Sequence, residues 1–231
     1  MTHRRRVNTT KYEIIQAASK AFMEQGYTAT SIRSIAAELD MNAGLLMYHF
    51  PTKEHLLAVL VEMLCDFQWQ MIKNMVDEGK SSLLAVCMEL ATMAAMCEDD
   101  EIAKDFYLSA YSNSLTLGII RKNDIRRAKM VFGEYCPDWT DQQFAEAEIL
   151  VSGTEYATLM TAGDEVPLEV RIAGALNSIL LTFNVPEETR RIKIDKIMAM
   201  DYHGIGKRIL GEFKEYVDET NEQVFEDLLK K

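Results

Sequence analysis

Apolar residues recur at spacings of three and four along nearly the whole chain, and the strict alternation of a half-buried strand does not occur. The pattern predicts an all-α protein. Ile14, Ile15, Ala18, Ala21 and Phe22 mark one face of a helix from Thr10 to Gln25. Gly26 stands where a left-handed C-cap is expected, and Tyr27 follows as an apolar plug. Ile32, Ile35, Ala36 and Leu39 mark a second, short helix, which Thr30 or Ser31 can cap. That run ends at Asp40-Met41-Asn42. Asn42 is another good N-cap, so a third helix can begin at Ala43, with Leu46 and Phe50 inward and Ala43, Met47 and Tyr48 outward. Gly44 costs this helix roughly 1 kcal/mol of propensity relative to Ala. Its missing side chain lets another backbone, or a phosphate, come close. Pro51 stops the helix, and Thr52 caps the next, with Lys53 and Glu54 in its first turn.

Longer helices follow. One is expected from Lys53 to Glu78, with Leu56, Leu57, Leu60, Val61, Leu64, Phe67 and Met71 on its inner side. Gly79-Lys80-Ser81 ends it and caps the next, Leu83 to Met96. An acidic break from Glu98 to Glu101 leads into a helix through Tyr111. Asn113 to Tyr135 reads as one or two more, interrupted near Asn123. Beyond Pro137, Thr140 and Gln143 have the spacing of a capping box, and a long helix to Ala162 follows. Gly163-Asp164-Glu165 reads as a turn. Pro167 and Pro186 stand at first-turn positions of helices that reach Phe183 and Met200, and His203 to Leu229 is mostly helical. No internal repeat interrupts this order.

The chain has 231 residues, which allows one or two domains and a sizeable core. A net charge of −11 excludes a generic polyanion binder. The distribution of that charge changes the picture. Residues 1–56 hold seven Lys/Arg against five Asp/Glu, net +2, so the remainder carries −13. A mildly basic head on a strongly acidic body suits a DNA binder whose body stays off the phosphates, although ordinary surface solvation produces similar asymmetry. Cys65, Cys87, Cys97 and Cys136 form no C-x-x-C pair and no metal-like cluster with the four histidines, so no metal or cofactor is expected. The basic N-terminus precedes an amphipathic segment rather than a signal peptide, and no stretch is apolar enough to span a membrane. A reducing cytoplasm is the simplest compartment. No H-E-x-x-H, phosphate loop or Ser elbow appears, so the chain is not expected to be an enzyme.

Residues 10–57 resemble the helix-turn-helix head of the TetR (tetracycline-repressor-type) family of bacterial transcription regulators. The resemblance rests on AFMEQGYTATSIRSIAAEL, the N-A-G-L-L turn and helix, and the YHFPTKEHLL exit, which agree in order over about a fifth of the chain. Asp40 stands where the family usually has Gly, Asn42 where it has Ser or Thr, and Met47 where it has Tyr. Asp40 can still adopt a left-handed turn, whereas Met47 cannot donate to a phosphate. The resemblance implies a DNA-binding domain over residues 1–56 and a helical effector-binding and dimerisation domain over 57–231. It also implies a ligand-responsive regulator, by default a repressor, that binds a palindromic operator in double-stranded DNA as a homodimer. A helical protein-interaction module without operator binding is the alternative.

Within the head, Thr30, Ser31, Tyr48 and Lys53 are expected on phosphates, and His49 either there or in a packing role. Arg33 reaches a phosphate or a guanine edge, or is simply solvated. Asn42, Ala43 and Leu45 are expected to face base edges, Leu45 against a thymine methyl, with Gly44 allowing close approach. Arg4-Arg5-Arg6 reads equally as a disordered minor-groove arm or a solvated tail. In the body, Ala145, Ala147, Ile149, Val151, Ala157 and Met160, with Ile172, Ala173, Ala175, Leu176, Ile179 and Leu180, have the composition of a dimer seam or of an internal core. One head reads too few base pairs for useful specificity, which favours the seam. Trp69, Met88, Met93, Met96, Phe106, Tyr107, Tyr111 and Phe132 are candidates to wall a pocket for a small apolar or amphipathic effector, the chain having 14 methionines. Such residues at helical spacing more often form plain core. The pocket itself is implied by the resemblance.

Overall fold

The computed structural model describes residues 2–75, 83–163 and 165–220, and its described residues form eleven helices and no strand. The first four are α1 (Thr2–Gln25), α2 (Ile32–Glu38), α3 (Ala43–His49) and α4 (Lys53–Met75). The rest are α5 (Leu83–Asp99), α6 (Glu101–Ser112), α7 (Ser114–Phe132), α8 (Asp141–Met160), α9 (Leu168–Thr182), α10 (Glu187–Met198) and α11 (Tyr202–Glu219).

Local chemistry sets most of the boundaries. Gly26 adopts φ +93°, the left-handed stop expected of it. Ser31, not Thr30, caps α2, exchanging bonds with Ser34 in a capping box. Asp40 takes the left-handed conformation at φ +49°, and the amide of Met41 donates to the Ala36 carbonyl at 2.9 Å, closing the turn. Thr140 and Gln143 form the capping box of α8. Pro167 and Pro186 lie one residue before the helices they introduce.

Three expectations are corrected. The helix expected from Thr10 begins at Thr2, so Arg4-Arg5-Arg6 lies on helical backbone rather than in a disordered arm; no Pro or Gly interrupts that stretch. The acidic break shrinks to Asp100, whose carboxylate caps α6 through the amides of Ile102 and Ala103. The interruption near Asn123 is absent, because that side chain turns inward and accepts from the Arg126 guanidinium instead of competing for the backbone. Gly79-Lys80-Ser81 and Asp164 lie outside the described residues.

Helix α5 is apolar all round and is correspondingly buried, packed among α4, α6, α8, α9, α10 and α11. Helices α1 to α3 form the head. Helix α1 packs not only on α2 and α4 but also on α6 and α11. The Tyr12 hydroxyl donates to the Thr220 carbonyl at 2.7 Å, tying the head to the end of α11. No helix among the described residues is long and apolar enough to cross a membrane.

Candidate nucleic-acid interface and body cavity

The third helix is short and held from behind. Leu46 and Phe50 are buried against the head, while Asn42 accepts from the Gly44 amide at 2.7 Å and fixes the start. A methyl at Gly44 would meet that Asn42 oxygen at 3.1 Å, so the glycine also makes room for the cap. Leu45 and Met47 are left half-exposed and Tyr48 is 79% exposed. Ala43 packs partly against the core. Arg33, Ser31 and Asn42 are exposed near the start of α2 and of α3. The His49 ring stands edge-on to Tyr48 at 5.3 Å, and partial burial, then Lys11, pushes its pKa below the ordinary imidazole value.

Two expected phosphate contacts are corrected. Thr30 is 2% exposed, and its hydroxyl donates to the Gly26 carbonyl at 2.7 Å, so it fastens the turn after α1 from within. Lys53 also turns inward. Its ammonium donates to the carbonyls of Tyr27 at 2.8 Å and Thr30 at 3.0 Å, and it lies 3.9 Å above the Tyr27 ring. Burial lowers its pKa, and the neighbouring Glu54 and Asp105 oppose that shift. Both residues close the Gly26–Thr30 turn, adding side-chain donors to the backbone bond from the Thr30 amide to the Tyr27 carbonyl at 3.2 Å.

Asp105 of α6 grips the same turn from the body. Its carboxylate accepts the Thr28 amide at 2.8 Å and the Thr28 hydroxyl. A β-carbon on Gly26 would come within 3.0 Å of it. The head is thus clasped by α4 through Lys53 and by α6 through Asp105.

Both clasping helices continue into a cavity of about 70 Å³ of water-accessible space in the body. Met93, Phe106, Tyr107, Tyr111 and Phe132, expected as pocket walls, do line it. Trp69, Met88 and Met96 do not: Trp69 packs beneath the Arg127 guanidinium, Met88 is buried core, and Met96 packs against Gly206 of α11. Reading the sequence missed the polar side of the cavity. Arg127 bonds to Glu89 at 3.0 Å, to Asp124 at 3.4 Å and to the Cys65 carbonyl. Glu155 accepts from the Tyr111 hydroxyl at 3.0 Å, and Gln68 from the Tyr107 hydroxyl at 3.1 Å. Glu148 is 1% exposed, and burial pushes its pKa up to about 10, with Asp124 and Glu155 adding to the rise. The signal was present: Glu148 interrupts the apolar run Ala147–Val151, and Arg127 falls on the face that carries Ile120 and Val131.

The expected seam on α8 and α9 divides. Ala147, Val151, Ile172, Ala175, Leu176, Ile179 and Leu180 are core within the subunit. Ile149, Leu150, Met160, Val170 and Leu181 instead form an exposed apolar face on these two helices.

Residues 14–60 match the family of bacterial regulatory proteins described as the tetR family. An HTH-type transcriptional repressor of Mycobacterium tuberculosis is 43% identical over 65 residues, covering 26% of this chain and 35% of that protein. The HTH-type transcriptional regulator HbdR of Aromatoleum sp. is 26% identical over 130 residues, covering 54% of this chain and 56% of that protein. The match therefore spans about a third to a half of the curated relatives' length. Among solved structures, the TetR family protein CprB from Streptomyces coelicolor in complex with its operator aligns over 90% of this chain and 99% of that one, at 23% identity and TM-score 0.42.

Proposed function

For a chain that belongs through its helix-turn-helix head to the tetR family of bacterial regulatory proteins, we propose a ligand-responsive transcriptional regulator. It binds a palindromic operator as a homodimer and is released by a small effector. The observation that carries this reading is α3. Seven residues are too few to hold a helix alone in water. This one is nevertheless pinned at its start by Asn42 and behind by Leu46 and Phe50, with Leu45, Met47 and Tyr48 outward. Exposed apolar side chains on a rigid, protruding helix suit the thymine methyls and sugar edges of a major groove. Tyr48 and Ser31 then position the head on phosphates, Asn42, Ala43 and Leu45 face bases, and Arg33 and His49 flank them.

Two heads are required for specificity, and the exposed face of Ile149, Leu150, Met160, Val170 and Leu181 is the surface that a twofold mate would cover. An effector acts through the clasp. Helix α4 carries Lys53 at one end and Leu64 and Gln68 at the cavity; α6 carries Asp105 beside Phe106 and Tyr107. An occupant that prefers another setting of these two helices shifts the spacing of the heads. A hundredfold change in operator affinity requires a preference of about 2.7 kcal/mol between the two settings. Repression is proposed by analogy with the repressor among the relatives.

Selection of fragments bound by the full chain from random DNA tests the reading. A palindrome with half-sites about one helical turn apart, bound with a steep salt dependence, is the expected result. Failure to enrich any duplex would leave a protein-interaction module in its place.

A further inference from the structure

We propose that the body cavity binds a compact primary amine as its ammonium ion, seated among the carboxylates of Asp124, Glu148 and Glu155, with its apolar part against Phe106, Phe132 and Val151. This names the effector class of the regulatory reading above, and rests on that reading only for calling the occupant an effector.

Geometry comes first. One carboxylate oxygen from each of Asp124, Glu148 and Glu155 can be chosen so that all lie within 4.8 Å of one another. An ammonium nitrogen has three donors, and at ~2.8 Å from each oxygen those donors span oxygen separations of about 4.6 Å. Charge comes second. Four carboxyl groups, of Glu89, Asp124, Glu148 and Glu155, line the cavity, and Arg127 is the one cationic side chain among its lining residues. Arg127 is held by Glu89 and Asp124, and nearby Arg121 donates to Ser152 at 3.0 Å. No ion pair among the described residues reaches Glu148 or Glu155. Two unmet polar atoms then point to an occupant, the second of them outside the carboxylate cluster. The Glu148 Oε1 is buried without a hydrogen bond, and so is the Gln68 Nε2, on a side chain 2% exposed that lines the same cavity. Each unmet bond of this kind is costly. Gln68 bonds to Tyr107 and Glu155 to Tyr111, one helical turn further along α6, so the amide that seeks an acceptor sits along the cavity from the carboxylates, towards the far end of the ligand. A bare metal ion would answer the carboxylates but neither the Gln68 amide nor the aromatic walls.

Proton linkage gives this site a signature. The groups facing Glu148 are Glu155 on its own helix, Asp124, Arg121 and Arg127 on α7, Glu89 on α5, Tyr107 and Tyr111 on α6, and Cys65 on α4. Burial raises Glu148 to about 10, so its carboxyl holds a proton near neutrality, and burial pushes the neighbouring Glu155 in the same direction. An arriving ammonium favours the ionised form of Glu148 and drives its proton into solution.

Calorimetric titration of the full chain, without DNA, tests the proposal with 2-phenylethylamine, its uncharged analogue 2-phenylethanol, and manganese chloride alone. The amine should bind with proton release, read from the dependence of the heat on the buffer, and more tightly as pH rises from about 6 to 8. Glu148→Gln and Glu155→Gln should each weaken it by roughly thirtyfold or more, the lower end for removing one partner of a buried charge pair. The amide that Glu148→Gln introduces is close in shape to the protonated carboxyl it replaces, so this variant should keep its fold, checked by its melting curve. Tyramine, which adds an acceptor at the far end, should bind more tightly than 2-phenylethylamine. Equal binding of amine and alcohol, amine binding indifferent to both variants, glutamine-sensitive manganese binding without amine binding, or no amine binding at millimolar concentration would each overturn the proposal. Because no DNA is present, these failures are separate from failure of the regulatory reading, which shows as absent operator binding or as an operator complex indifferent to a bound amine.

Discussion

Replacing Glu148 by Gln should change how stability depends on pH more than it changes stability at any one acidic pH. The carboxyl gives up its proton near 4.5 in the unfolded chain but near 10 in the folded one, because burial disfavours its charge. A folded-state value above the unfolded one means that the native state binds the extra proton. The stabilisation is therefore fully present below pH 4.5 and is lost as pH rises towards 10. Each pH unit in that window is worth about 1.4 kcal/mol, so this single group removes on the order of 3 kcal/mol between pH 5 and 7. That is a large share of a typical net stability of roughly 5–15 kcal/mol. Glutamine does not titrate. Arg121 and the linked carboxyls of Asp124 and Glu155 absorb part of the effect, so the stability of the variant relative to the native chain should grow by roughly 1 kcal/mol per pH unit. Urea unfolding of the full chain at one protein concentration and several pH values measures this, with an unchanged slope in denaturant as the control. Stability curves that run parallel for the two proteins across that window would refute the argument that Glu148 sits buried without a cation.

Other consequences concern the clasp and the exposed face. Lys53→Met should lower thermal stability by about 1–3 kcal/mol, since it removes the charged donor to the Tyr27 and Thr30 carbonyls; an unchanged melting curve would return Lys53 to the surface and to the phosphates. Gly26→Ala should cost about 1–2 kcal/mol, because φ +93° strains an L residue and the added methyl presses on Asp105; the penalty should shrink in an Asp105→Ala background, and equal penalties would deny the contact. Leu150→Glu combined with Leu181→Glu should yield a helical monomer in sedimentation, with operator binding lost, and a dimer of undiminished mass would place the seam elsewhere.

The head was legible in the sequence because its determinants are local. A cap acts within three residues, a left-handed stop within one, and Gly26, Ser31, Asp40 and Asn42 each do in the fold what their chemistry suggests in isolation. The directions of Thr30 and Lys53 were not legible, since both depend on carbonyls that only the folded Gly26–Thr30 turn presents. The cavity was half legible. Helical spacing alone does not tell a wall from plain core, and Trp69, Met88 and Met96 pack elsewhere, while Glu148 reads like its solvated neighbour Glu146 until α7 and α8 pack together. The same limit applies to α8 and α9. Composition marked both as apolar, but whether a residue faces its own core, as Val151 does, or the outside, as Leu150 does, is settled by how the two helices roll against α5.

The most direct test of the central claim is a binding measurement on one selected duplex with three proteins: the native chain, Tyr48→Ala and Leu45→Ala. Tyr48 is exposed and the Leu45 side chain half so, hence neither change should move stability by more than about 0.5 kcal/mol. The native chain should bind as two copies per duplex. Tyr48→Ala should weaken binding to all sequences alike, and Leu45→Ala should relax the preference at one symmetric pair of base positions. Binding of a single copy, or affinity and sequence preference untouched by both changes, would contradict the assignment of α3 as the reading helix.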